Sequence, residues 1–442
     1  MLSVVINTDP PSTCPDLLIP LAGSSFTSSD ERDSLLWVRM SVPADAAPGT
    51  YHGRVNFRTE KGKTGYCPVT VRVHDVTLPD VGDGQTLMGV WQTWTPLAQQ
   101  YGVKTFSDEW WTLIDAYLKH LADMDIRTVQ VGRAYFDWKR VAAGQWQFEF
   151  SRFDRYVKLC EKAGLTGRID YLGMMDNTGP TLLYYLDSEG KLVSVEAEPG
   201  SEQYDDAWSS FTGALARHCR EMGWFDRLCV WPADRPATDD QIAAFRHAAE
   251  LLRAADPDYT VGATFDKPEP AEKLADCTDL FAFPLDEDMG GFASLTEQLR
   301  AAGKQVGGHL TEDREQPGFS LDGNPARAYA AWPVCLMAGL DGIIGTRYPA
   351  WDAPIDIDAP VVGPGFGGLV YPGEQGPLGS LRAERLLLGM QDAILLRMVG
   401  REISEQWWRE LGVADDWRKL EECAQQLRRR ALLAATQSCG AQ

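Results

Sequence analysis

The chain has 442 residues, 44% hydrophobic and 24% charged, the composition of a globular protein too long for one ordinary core. A formal charge of −21 argues against nucleic acid as a partner, because phosphate binding rests on clustered Lys and Arg. No apolar run approaches the roughly 20 residues that span a bilayer, so no membrane segment is expected.

The opening MLSVVINTDPPST has no basic start and meets prolines before an apolar stretch forms, so no signal peptide is read and a cytoplasmic location is expected. Residues 35–78 read as strands. LLWVRMSVP and TYHGRVNF alternate with period two, ADAAPG between them carries turn chemistry, and CPVTVRVHDVTLP continues the pattern to Pro79. A small β-sandwich-like domain is expected over 1–82.

From residue 86 the pattern becomes short apolar runs alternating with amphipathic helices. TLMGVW (86–91) leads to a helix opened by Ser107, with Trp110, Leu113, Ile114, Tyr117, Leu118 and Leu121 on one face. RTVQVG (127–132) precedes a helix from Ser151 that stops at Gly164, and GRIDYL (167–172) leads through a loop to a helix around 205–221. RLCVWPA (227–233) is followed by a helix over about 238–254. YTVGATF (259–265), DLFAFP (279–284), QVGGHL (305–310) and DGIIGT (341–346) complete the set. Eight strands interleaved with helices predict an α/β protein, a (β/α)8 TIM barrel, over 83–400. The alternative is a doubly wound open sheet, but no G-x-G-x-x-G follows any strand. Residues 401–442 read as a helical tail packed on the barrel exterior, its Arg428–Arg430 run a solvated face.

Cysteines occur singly, without C-x-x-C spacing, and the six histidines form no H-x-x-x-H pair. Neither a disulfide frame nor a metal site is expected, and no cofactor is implied.

Active sites of such barrels form at the carboxyl ends of the strands. That rule nominates Trp91 and Trp94 after strand one, and Tyr135, Asp137 and Trp138 after strand two. Asp170, Tyr171 and Asp176 follow from strand three, and Trp231, Asp234 and Arg235 from strand four. Strand six gives Asp286, Glu287 and Asp288, strand seven His309, Glu312 and Asp313, and strand eight Arg347, Tyr348, Trp351 and Asp352. Carboxylates and aromatics dominate. Sugar rings stack their C–H faces on indole and phenol rings, and glycosidic cleavage needs a positioned acid and a second group that steadies an oxocarbenium-like state. A carbohydrate is therefore the expected ligand. Of these residues, His309 also reads as a satisfied core histidine. Asp170, if it points into the barrel, needs a partner or a raised pKa.

Several segments resemble glycoside hydrolase family 123, the β-N-acetylgalactosaminidase type, and the related proteins with domain of unknown function 4091. LLWVRMSVPADAAPGTYHGRV resembles the accessory sandwich, and GQWQFEFSRFDRYVKLCEKAGL the second barrel helix. EQYDDAWSSFTGALARHCREMGWFDRLCVWPADRP resembles the approach to the catalytic strand. LDGIIGTRYPAW and GLVYPGEQGPLGSLRAERLLLGMQDAILLR resemble the closing strand and last helix. The resemblance runs from about residue 15 to 398. It implies an Asp-Glu pair, within Asp-Glu-Arg-Pro, at the end of strand four. There the Glu protonates the leaving oxygen and the Asp orients a 2-acetamido group that attacks the anomeric carbon.

This chain reads Ala233-Asp234-Arg235-Pro236: in one register Asp234 stands where the Glu would be and Ala233 where the Asp would be, in the other Asp234 stands on the Asp and Arg235 on the Glu, and in neither is the pair intact. In strand eight Tyr348 and Trp351 fit the family, while Gly345 and Thr346 replace its Arg-Trp. An Asp is one methylene shorter than a Glu, and withdrawing an acid by about 1 Å costs on the order of 10²-fold in rate.

The resulting expectation is a glycoside hydrolase acting on a glycan, N-acetylhexosamine-containing glycans among the candidates, with Asp234 as general acid/base. Trp91, Tyr171, Trp231, Arg235, Glu312, Asp313, Tyr348 and Trp351 are its expected substrate contacts. A two-carboxylate scheme would pair Asp234 with Glu312, Asp313 or Asp286. The alternative is a carbohydrate-binding relative that does not cleave, motivated by Ala233.

Overall fold

The computed structural model describes residues 16–21, 36–79, 87–176, 180–285, 289–310, 326–349, 354–355, 368–400, 406 and 417–439. The chain divides into two compact units, one built from 18–79 with 390–442, the other from 80–389 with the short segment that ends at Leu17.

The larger unit is an eight-stranded parallel sheet. Its strands are Leu87–Gln92, Val129–Gly132, Ile169–Leu172, Leu228–Trp231, Thr260–Thr264, Leu280–Pro284, Gln305–His309 and Gly342–Tyr348. Their order is first, eighth, seventh, sixth, fifth, fourth, third, second, so strands that are neighbours in sequence lie at the two ends of the ladder and the sheet comes round almost to closure. The expected (β/α)8 barrel is the observed fold.

Among the described residues no ladder joins the first and second strands; a side chain does. Gln92 Nε2 donates to the Thr128 carbonyl at 2.8 Å, and its Oε1 accepts the Gln130 N–H at 2.8 Å. A glutamine amide carries the same donor and acceptor as a peptide, so it seals the seam where backbone pairing stops. The Tyr156 hydroxyl donates to the same Oε1 at 2.7 Å and accepts from Trp94 Nε1 at 2.9 Å.

The helices start and stop where local chemistry dictates. Ser107 caps Asp108–Asp123 by accepting the Trp110 N–H, and Gly164 ends Ser151–Ala163 in the left-handed conformation. Thr238 and Gln241 form a capping box at the head of Asp239–Ala255.

Inside the barrel, Trp231 packs with Cys229, Leu280, Ala282 and Ile344. The indole fits because Gly262 faces it: a Cβ there would lie 2.7 Å from two of its carbons. Asp170 does point inward, and its partner is Arg168, whose Nε and Nη2 reach the carboxylate at 2.5 and 2.9 Å; Trp231 Nε1 donates to the same group at 2.9 Å. The helix that follows the eighth strand and its hairpin, Leu381–Val399, is anchored at its start by Asp16, which accepts from Arg382 Nη2 at 2.8 Å and from the Tyr371 hydroxyl at 2.6 Å.

An additional four-stranded sheet is built from Asp137–Ala142, Gln145–Glu149, Leu182–Leu186 and Leu192–Glu196. Its strands lie in the connections after the second and third barrel strands; Gln145–Glu149 is a strand where the resemblance implies the start of the second barrel helix, which begins at Ser151, and Leu182–Leu186 and Leu192–Glu196 fall where a loop is expected. LLYYL and LVSVE are β-rich runs around an Asp187–Gly190 turn, a hairpin signature that the helix periodicity on either side obscures.

In the smaller unit, Gly49–Arg58 pairs antiparallel with Thr64–Val73 through a turn at 59–63, where Gly62 takes φ +79°. The expected strand over 35–43 is a correction: residues 36–48 carry no strand, although Leu36, Val38, Met40 and Val42 alternate as a strand would. Alternation supplies a face but not a neighbouring strand to pair with. The ADAAPG segment precedes the hairpin instead of turning it. Helix Trp417–Cys439 buries Leu427, Ala431 and Ala435 at every fourth position. Arg428, expected on a solvated face, instead forms a fork on the buried Asp392 carboxylate at 2.6 and 3.1 Å. Among the described residues no helix is long and apolar enough to cross a membrane.

Candidate active site

The fourth strand ends at Trp231, and Pro232 and Ala233 continue it in buried positions before the chain turns outward at Asp234. Arg235 then adopts φ +51°, a left-handed conformation that costs a residue with a Cβ about 1–2 kcal/mol. Thr264, the buried last residue of the fifth strand, holds this turn. Its hydroxyl oxygen accepts the Arg235 N–H at 3.0 Å while its proton goes to Asp234 Oδ1. One hydroxyl thus fixes both the strained backbone and the orientation of the carboxylate. Backbone strain of this kind collects at functional sites, where surrounding bonds over-determine it.

Asp234 remains half-exposed, at 49% of its side chain, and its Oδ2 lies 3.4 Å from Arg235 Nε, longer than a hydrogen bond. It does not cap the following helix; Thr238 does that. The other end of the guanidinium leads to a second carboxylate, with Arg235 Nη1 3.8 Å from Asp266 Oδ2. Asp266 follows the fifth strand by two residues and is 45% exposed.

Behind Asp266 is His309, the last residue of the seventh strand and only 3% exposed. Its Nε2 is 3.7 Å from Asp266 Oδ1 and has no hydrogen-bond partner among the described residues. Burial first, and the Arg235 charge second, lower its pKa to about 4 against the opposing pull of Asp266 and Asp234. The imidazole is therefore neutral at pH 7. It is a buried histidine, but its Nε2 is not satisfied as a core histidine's would be.

Of the residues nominated from sequence, the structure brings Asp234 and Arg235 together. Trp91, near the end of the first strand, is half-buried against Gly345, and its Nε1 finds no partner among the described residues. Tyr171, Trp231 and Tyr348 are buried at 1%, 2% and 0%. Trp231 is occupied by Asp170, and the Tyr348 hydroxyl is 2.9 Å from His120 Nδ1. As placed, these three rings offer no face for stacking a sugar, and their burial is explained by packing of the barrel and its helices. Trp94, Tyr135 and Trp138 are buried too. Asp137 is exposed and paired with Arg152 at 2.9 Å. Glu312, Asp313, Trp351, Asp352 and Asp286–Asp288 lie outside the described residues.

The sequence reading missed Thr264 and Asp266. The signal is in the sequence: Asp266 stands just beyond the carboxyl end of the fifth strand. Among the described residues no three His, Cys, Asp or Glu side chains gather as a metal site.

Residues 91–399 match the family model for the glycoside hydrolase 123 catalytic domain. A family 123 glycoside hydrolase from Clostridium perfringens, studied for glycolipid glycan hydrolysis, superposes with a TM-score of 0.76 at 16% identity, covering 100% of this chain and 85% of its own. An intracellular xylanase from Thermoanaerobacterium saccharolyticum (TM-score 0.39, 8% identity, 71% of this chain and 98% of that one) is far more distant. So is a β-glucuronidase from an uncultured Clostridium (TM-score 0.42, 10% identity, 81% and 60%). No curated protein matches by sequence.

Proposed function

Because the chain belongs to the glycoside hydrolase 123 family, we propose that it hydrolyses a glycan, with N-acetylhexosaminides the first substrates to try, and that Asp234 is its general acid/base. The observation that carries this is the setting of Asp234. It is a half-exposed carboxylate at the carboxyl end of the fourth barrel strand, oriented by Thr264 and held by no tight ion pair. In this role the Asp234 proton passes to the leaving oxygen as the bond to the anomeric carbon breaks. Among the described residues, half-buried Trp91 is the aromatic nominee left to meet a sugar face, and Arg235 the polar one.

The test is release of aryl alcohol from a panel of aryl glycosides that includes the β-N-acetylgalactosaminide and β-N-acetylglucosaminide. Turnover that falls when Asp234→Ala is introduced supports the proposal. No turnover on any sugar, or turnover indifferent to that change, defeats it. Ala233 favours a second reading, a relative that binds glycans without cleaving them, because its buried methyl can supply no carboxylate. Glycan-array binding without hydrolysis is the result that reading predicts. It also predicts that Ala233→Asp combined with Asp234→Glu creates activity.

A further inference from the structure

We propose that Asp266 is the second carboxylate of this site, the ionised group that faces the sugar while Asp234 exchanges the proton, and that His309 positions it; this rests on the reading of Asp234 as the acid.

Three observations converge. Asp234 and Asp266 come from adjacent strands and share one guanidinium, with contacts of 3.4 and 3.8 Å. Both distances exceed hydrogen-bond range, so Arg235 balances the two charges without occupying either carboxylate. Both carboxylates are close to half-exposed. Asp170, by contrast, closes its contacts with Arg168 into a fork.

The third observation is the imidazole behind. His309 is almost wholly buried, yet its Nε2 has no hydrogen-bond partner among the described residues and lies 3.7 Å from Asp266 Oδ1. Buried polar atoms are nearly always bonded, and one left open against a half-exposed carboxylate needs a reason. A small inward movement of Asp266 as a ligand enters would turn this contact into a hydrogen bond and fix the carboxylate's direction. Among the described residues, the charged groups facing His309 are Arg235, Asp266 and Asp234.

The step balances without a further reagent. The Asp234 proton goes to the leaving oxygen, which takes the electron pair of its bond to the anomeric carbon. Positive charge spreads over that carbon and the ring oxygen, with Asp266 ionised beside it and neither gaining nor losing a proton. A water oxygen then bonds to the anomeric carbon, and the proton that water releases restores Asp234.

Asp266→Asn keeps the shape and removes the charge. On any aryl glycoside the protein cleaves, kcat falls by about 10²-fold or more while KM moves less than about threefold. His309→Gln, which retains an N–H donor, stays within about fivefold of the parent, whereas His309→Phe loses about tenfold or more and alters the pH profile of kcat. A readout independent of turnover is calorimetric binding of N-acetylgalactosamine and of its cationic iminosugar counterpart. Asp266→Asn weakens the cation by about tenfold or more and the neutral sugar by less than about threefold.

Equal effects on both ligands, or unchanged kcat, overturn the proposal. If Asp234→Asn abolishes turnover and Asp266→Asn does not, only this inference fails. If Asp266→Asn is the damaging change and Asp234→Asn is silent, the acid assignment fails instead. If the parent protein binds neither ligand and cleaves nothing, both fail.

Discussion

Two aspartate–arginine pairs on neighbouring strands of this barrel are built from the same residue types and differ in everything else. Asp170 and Arg168 lie in the interior, joined by both fork nitrogens at 2.5 and 2.9 Å, with the Trp231 N–H filling a further acceptor position. Asp234 and Arg235 are on the rim, about half-exposed and 3.4 Å apart, with Arg235 turned partly toward Asp266. A buried ion pair persists only when its bonding capacity is used up, so the inner pair has nothing left to offer a ligand. The outer pair keeps unused lone pairs and donors in solvent, which is what a site that must grip and release a sugar requires.

The sharpest way to break the comparison is to remove one partner from each pair. Asp170→Ala strands Arg168 and the Trp231 N–H in the interior and should cost about 3–5 kcal/mol in denaturant unfolding. Asp234→Ala should leave the unfolding midpoint nearly unchanged.

Next in size is the proton that His309 refuses. Its pKa is about 6.5 in the unfolded chain and about 4 in the folded one. As pH falls through that window the unfolded state takes up a proton that the folded state does not, so stability is lost on acidification. The loss is about 3 kcal/mol, complete near pH 4 and absent above about pH 7. Unfolding measured across this range in His309→Gln should show the acid limb flattened by that amount.

Gly262→Ala pushes a methyl against the Trp231 indole and should cost about 1–3 kcal/mol in the same assay. A small effect on stability is also expected at Arg235→Gly. Relief of the left-handed backbone, worth about 1 kcal/mol, offsets exposed ion contacts worth about 0–1 kcal/mol. Stability should stay within about 1 kcal/mol of the parent while glycan affinity drops, separating the outer arginine's role from the inner one's.

Much of the barrel was legible because its signals are local and periodic. All eight strands fall within a few residues of the apolar runs that predict them, and Ser107, Gly164 and Thr238 mark helix ends by their own side chains or backbone freedom. What the sequence hid is non-local. Nothing in the run LMGVWQ says that the Gln92 amide will close a seam, because that depends on where Thr128 and Gln130 arrive. Trp231 and Tyr348 read as rim aromatics because strand ends were treated as surface, whereas the packing draws their rings inward. At the site, Asp234 was readable from its position at the end of strand four. Asp266 and the open nitrogen of His309 become significant only when the ends of the fourth, fifth and seventh strands meet at one end of the barrel.

The claim on which the account turns is that Asp234 gives a proton to the leaving group. The most direct measurement compares kcat/KM for two aryl glycosides of one sugar, one with a poor phenol leaving group and one with an activated dinitrophenol that departs unprotonated. For Asp234→Asn the account predicts a loss of about 10²–10⁴-fold on the poor leaving group and a far smaller loss on the activated one. Equal losses on both, or none on either, would contradict it.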